Sequence, residues 1–121
     1  MVIDDDKDDI EIFVEFAIKC ELDIKIHFAT ESIEGLRLMK ELSQVDILFL
    51  DVHMPKLDAF EVIQIMKADE KLKDIPIVIM SSSYSPHDER RLREIGASSC
   101  MTKSVNYQVY CDELRKVIDS S

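Results

Sequence analysis

The chain has 121 residues, enough for one domain with a real core and too few for two. Twenty-five acids against 15 bases give a net charge of −10, which argues against nonspecific nucleic-acid binding through a basic face. With 46% apolar and 33% charged residues the balance is that of an ordinary globular protein, 2 Gly and 3 Pro leave little for flexible linkers, and no stretch approaches the ~20 apolar residues of a membrane span.

The cysteines, Cys20, Cys100 and Cys111, are odd in number and lack metal-ligand spacing. They predict free or buried thiols in a reducing cytosol, not a disulfide. The start, Met1-Val2-Ile3-Asp4-Asp5-Asp6, has neither a basic region nor an apolar run of signal length, so a soluble cytoplasmic protein is expected.

In chain order, residues 1–3 form a short apolar run ending in acids, a strand brief for a central one, which points to residues missing from the start. Ile10, Phe13, Val14 and Ala17 have the spacing of an amphipathic helix over 8–21, with Asp8 and Asp9 favoured at its start by the helix dipole. Ile24, Ile26 and Phe28 alternate with Lys25 and His27, as in a half-buried edge strand. Thr30 or Ser32 can cap the next helix, whose face would be Ile33, Leu36, Met39 and Leu42. Gly35 inside it costs roughly 1 kcal/mol relative to alanine.

Residues 46–51, Asp-Ile-Leu-Phe-Leu-Asp, are a strand buried on both faces and closed by an acid. Asp58 would cap a helix carrying Phe60, Ile63 and Met66, and 67–74 is a charged connection. Residues 75–80 are another continuous apolar strand, closed by Ser81-Ser82-Ser83. Ser85-Pro86-His87-Asp88 has the form of a helix start, but only Leu92 and Ile95 are strong apolar positions, so that helix is weakly anchored until Gly96 ends it. Its Arg90, Arg91 and Arg93 read as a solvated face. Residues 98–102 form a last strand, and Tyr110, Leu114, Val117 and Ile118 mark a final helix over 107–119. Strict alternation of strand and helix implies an α/β fold with a parallel sheet, right-handed crossovers and helices on both faces.

In such a sheet every strand ends at one edge, so Asp4, Asp5, Asp51, Ser81 and Lys103 should converge there, where ligands bind. Carboxylates packed together repel one another unless cations compensate. Lys103 offers one charge, and Mg²⁺ suits an all-oxygen set from the acidic pair, Asp51 and a backbone carbonyl near His53. This chemistry fits phosphoryl transfer with Asp51 as nucleophile and the Ser81 hydroxyl donating to a phosphoryl oxygen.

The ordered set Val2-Ile3-Asp4-Asp5, Asp46 through Asp51-Val-His-Met54-Pro55, Pro76 through Ser81, and Gly96-Ala97 followed by Thr102-Lys103 resembles the response-regulator receiver domain of two-component signalling, over the whole chain. The resemblance implies a flavodoxin-like (CheY-like) fold with a five-stranded parallel sheet of order 2-1-3-4-5. It implies Mg²⁺-dependent phosphorylation of Asp51 by a sensor histidine kinase or histidine phosphotransfer protein, and an output partner that the sequence does not name. Ser81 would move toward the phosphoryl group, and the surface of the fourth helix, fifth strand and fifth helix would carry the signal. Three residues depart from the family pattern. Ala59 stands where glycine is usual, Cys100 where an aromatic switch residue is usual, and Ser104 where proline usually follows the lysine. They motivate an alternative, a phosphorylation-independent interaction module. An aspartyl phosphohydrolase is disfavoured because His53 stands where its second acid would be. One receiver domain over 1–121, without an output domain, is the expected organisation, with no direct nucleic-acid or membrane partner.

Overall fold

The computed structural model describes residues 1–52, 58–82 and 86–120. The elements alternate as β1 (Val2–Ile3), α1 (Lys7–Lys19), β2 (Phe28–Ala29), α2 (Ser32–Glu41), β3 (Leu48–Asp51), α3 (Ala59–Lys67), β4 (Ile77–Ser81), α4 (Pro86–Ile95), β5 (Ser99–Thr102) and α5 (Tyr107–Asp119). The five strands pair in parallel in the order β2-β1-β3-β4-β5, as expected.

Successive residues of a strand face opposite sides, so the continuous apolar runs build two cores. Ile3, Leu48, Leu50, Ile77 and Ile79 face one side, where they meet Leu36 and Met39 of α2, Val62, Ile63 and Met66 of α3, and Leu92 of α4. Val2, Phe49, Val78, Met80 and Met101 face the other, against Ile10 and Phe13 of α1 and Tyr110, Leu114 and Val117 of α5. On that second side Phe13 packs edge-on to Phe49 (centroids 4.9 Å apart) and Tyr110 (6.2 Å), and Phe16 packs on Tyr107 and Tyr110.

Local chemistry sets the helix ends. Asp6 caps α1 by accepting from the Asp8 N–H, Asp58 caps α3 by accepting from the Glu61 N–H, and Asn106 caps α5 by accepting from the Val109 N–H. The Ser85 cap proposed for α4 lies outside the described residues. Gly96 ends α4 with a φ of 131°, a conformation that favours glycine.

Several expectations fail. The edge strand β2 is only two residues long, and Phe28 is 56% exposed while Ala29 is buried, so the alternation read from Ile24 onward does not carry through the paired residues. Ile33 is 64% exposed; α2 turns Ser32, Gly35, Leu36 and Met39 inward, and its cap residue is Glu31, without a side-chain cap bond. Leu72, inside the charged connection, is fully buried. Cys20 and Cys111 are not free thiols: they are joined as a disulfide with Cα atoms 5.8 Å apart, and Cys100 alone is free. Chain order conceals this pairing, because the two residues are 91 positions apart and meet only when α1 and α5 dock.

Candidate functional site

The ends of β1, β3 and β5 bring their polar residues to one edge of the sheet. The backbone N–H of Asp4 bonds to the Ala29 carbonyl, and its carboxylate accepts from the Asp6 N–H at 3.0 Å, which turns the chain into α1. Asp51, the last residue of β3, lies in register with Met80, and Ser81 pairs with Thr102. The Lys103 N–H donates to the Ser81 carbonyl at 2.7 Å, so the lysine backbone is held by the end of β4.

The Lys103 ammonium is the hub. It donates to Asp4 Oδ2 (2.8 Å), Asp9 Oδ2 (2.9 Å) and Asp51 Oδ1 (3.0 Å). Asp4 and Asp51 are only 1% and 6% exposed, whereas Asp5 is open to solvent. Carboxylate oxygens of Asp4, Asp5 and Asp51 lie within 4.8 Å of one another. One ammonium thus offsets two buried acids and a third at the rim.

The electrostatics follow from this crowding. Burial pushes the Asp51 carboxyl up to about 6; the hydrogen bond from Lys103 opposes that, and the charges of Asp4 and Asp5 add to it. Asp4 is raised for the same first reason, again against the Lys103 bond. Burial alone would lower the Lys103 ammonium, but its bonds to Asp4, Asp9 and Asp51 outweigh this and raise it, so it stays charged.

Asp9 is the residue that sequence reasoning missed. Its place in the first turn of α1 explains it fully as a dipole-stabilising acid, and only the docking of α1 beside the β5 end reveals its bond to Lys103. Asp6, by contrast, faces the start of α1, which it caps through the Asp8 N–H. Ser81 is the half-buried last residue of β4. Cys100 lies on the α4 side of β5, packed beside the first core, and burial raises its thiol above the usual range. Ala59 starts α3 directly after its cap, fully buried, and is not among the residues with positive φ. Among the described residues there is no cis peptide, the bond before Ser104 included. His53, with its carbonyl, and the Met54-Pro55 turn lie outside the described residues.

The model of the response regulator receiver domain matches residues 1–115. The chain belongs to this family. It is 28% identical to the DNA-binding dual master transcriptional regulator RpaA of Synechocystis over 98% of this chain and 48% of that protein. It is 40% identical to a gliding motility regulatory protein of Myxococcus xanthus over 48% of this chain and 8% of that one. The polar-differentiation response regulator DivK of Brucella ovis is 24% identical over 71% of this chain and 69% of its own. The receiver thus spans half or less of the first two of these relatives. Among solved structures, response regulator RPA3017 of R. palustris superposes with a TM-score of 0.85 at 20% identity, covering 96% of this chain and 88% of that one. The phosphorylated cyanobacterial phytochrome response regulator RcpA gives 0.83 at 23% identity, over 98% and 89%. These likenesses establish the receiver fold. Among the described residues, no helix is long and apolar enough to cross a membrane.

Proposed function

We propose that this receiver accepts a phosphoryl group on Asp51 and acts as a phosphorylation-controlled interaction switch in the cytoplasm. The observation that carries the reading is the single Lys103 ammonium bonded to Asp4, Asp9 and Asp51, beside a three-carboxylate cluster open to solvent at Asp5. Asp4, Asp5 and Asp51 form an all-oxygen donor set that fits Mg²⁺, which prefers oxygen and keeps several waters, and the His53 carbonyl would add one more oxygen. Held there, Mg²⁺ would supply positive charge against the oxygens of the transferring phosphoryl group.

The chain's own residues supply the rest. An Asp51 carboxyl titrating near 6 is mostly ionised at neutral pH, so an oxygen of its carboxylate can attack the phosphorus of a phosphohistidine. The P–O bond forms as the P–N bond breaks, and the departing imidazole leaves with the bonding pair and takes up a proton. Lys103, already charged, stabilises the transferring oxygens, and the Ser81 hydroxyl donates to one of them. The donor would be a sensor histidine kinase or a histidine phosphotransfer protein. The output is a protein partner or another domain of a longer protein. The domain assists its own phosphorylation and dephosphorylation but is not a turnover enzyme.

Treatment with acetyl phosphate and Mg²⁺ should add the mass of one phosphoryl group, and Asp51→Asn should abolish the addition. An unmodified wild-type chain would defeat the proposal. It would favour the second reading, a phosphorylation-independent interaction module, for which Cys100 at the expected aromatic switch position speaks.

A further inference from the structure

Helix α5 grips the last turn of α1 with three residues spaced four apart. The Tyr107 hydroxyl donates to the Lys19 carbonyl (3.0 Å), Cys111 is bonded to Cys20, and an Arg115 guanidinium N–H donates to the Cys20 carbonyl (2.7 Å). Spacing of four residues puts all three on one face of the helix. Tyr107 and Arg115 donate to the carbonyl end of α1, where the last carbonyls of a helix have no N–H donors of their own. The chain then leaves through Glu21 at a φ of 57°, the left-handed region that a non-glycine residue occupies only at a cost, so this turn is held in place and not merely allowed. Both sulfurs are sealed, each cysteine being 1% exposed.

The same two helices bracket Lys103. Asp9 of α1 accepts from its ammonium, and Glu113 of α5 accepts from the N–H of the preceding Thr102.

We propose that Cys20 and Cys111 form a redox modification site, a buried thiol–disulfide clip that sets how firmly α5 is fastened to α1. This does not depend on whether Asp51 accepts a phosphoryl group. The oxidant is a low-molecular-weight disulfide. One cysteine thiolate attacks it and releases one thiol, forming a mixed disulfide. The second cysteine thiolate displaces the other thiol and closes the protein bond. Two protein thiols are thereby oxidised and one small disulfide is reduced to two thiols. Because the sulfurs are sealed, each exchange passes through a local parting of α1 and α5, and the closed clip persists in the folded domain.

The test compares the full chain after oxidised glutathione with the chain after dithiothreitol. Oxidation should remove the mass of two hydrogens and leave Cys100 as the one residue alkylated after denaturation. Amide exchange in the last turn of α1 and in α5 should slow about tenfold, with α4 unchanged. Cys100→Ser should retain all of this, and Cys111→Ala should lose it. Reduced wild type serves as the open reference if Cys111→Ala does not fold. A glutathione adduct on Cys100 without the internal bond would overturn the proposal. So would an internal bond that leaves exchange in α1 and α5 unchanged.

Discussion

Helix α4 and the α1–α5 pair cover opposite faces of one sheet and are fastened by different chemistry. Leu92 is the one buried residue among those described in α4, with the half-buried Ile95 packed against the same core; at the surface Arg91 lies over the Phe60 ring at 4.5 Å, Arg93 pairs with Glu89, and Arg93 donates to the Ser98 carbonyl. The α1–α5 pair buries Phe13, Tyr110, Leu114 and Val117, packs aromatic rings edge to face, and is stapled by side chain-to-backbone bonds and a disulfide. A helix held by one buried and one half-buried apolar side chain shifts at lower free-energy cost, whereas the opposite pair cannot move without opening a core. Asp9 and Lys103 therefore sit on a fixed platform, and Cys100 and Ser81 sit beside the loose helix. If the domain has two states, the α4–β5 side is where they differ.

The largest expected effects test that contrast directly. Phe13→Ala should cost ~3–5 kcal/mol, and urea unfolding should show the loss as a lower midpoint of a single cooperative transition. Leu92→Ala should cost less, ~2–3 kcal/mol, and amide exchange should show α4 opening before the rest of the chain. Equal exchange in α4 and α5 in the wild type would remove the distinction.

Lys103→Ala comes next. It leaves Asp4 and Asp51 buried without their shared cation. Breaking a buried pair costs ~3–5 kcal/mol; with Asp9 partly exposed and Lys103 at the rim, ~2–3 kcal/mol is expected in metal-free buffer at pH 7. The pH dependence has a definite sign. The Asp51 carboxyl is raised from 3.8 to about 6 in the fold, so the folded chain holds more protons than the unfolded one between those values. Its contribution to stability is fully present below about pH 4 and is lost as pH rises through about 6. Melting temperatures in EDTA from pH 4 to 7 should show this decline, more steeply in Lys103→Ala, and Mg²⁺ should reverse it. A melting temperature that ignores both pH and Mg²⁺ would show that the acids do not share one pocket.

These residues also show what chain order makes legible. Leu48, Phe49 and Leu50 are apolar without a break because both faces of β3 are covered, so a central parallel strand and the placement of Asp51 at its end follow from local pattern. Asp4, Asp51 and Lys103 are predictable as neighbours because parallel topology gathers strand ends. What escapes is whatever depends on the docking of two helices or on the final parity of a short strand. Asp9 already has a sufficient local explanation, Cys20 and Cys111 meet only across α1 and α5, and Phe28, on a two-residue edge strand, is left exposed while Ala29 is buried. Gly35 belongs to the same group. By propensity alone, alanine there should gain ~1 kcal/mol. In the fold a Cβ at Gly35 would overlap the buried Ile3 side chain. Overpacking costs ~1–3 kcal/mol, so Gly35→Ala should destabilise by a net ~1 kcal/mol in urea. It also asks whether α2, on the same face as α4, shares its looseness; a neutral or stabilised variant would mean that it does.

The smallest effect is the most specific to α4. The Arg91 guanidinium lies over the half-buried Phe60 ring and ties α4 to α3 across the surface. An exposed cation–π contact contributes ~0.5–1 kcal/mol, so Arg91→Ala should lower global stability by no more than that. Its consequence should be concentrated where few other contacts compensate. Amide exchange in α4 should quicken about two- to fivefold, the equivalent of the lost contact, while α1 and α5 stay unchanged. Arg91→Lys keeps the charge but not the flat guanidinium, and should recover only part of the protection. If exchange instead quickened evenly through the chain, α4 would be part of the same cooperative unit as α1 and α5, and the two faces of the sheet would not be separable in stability.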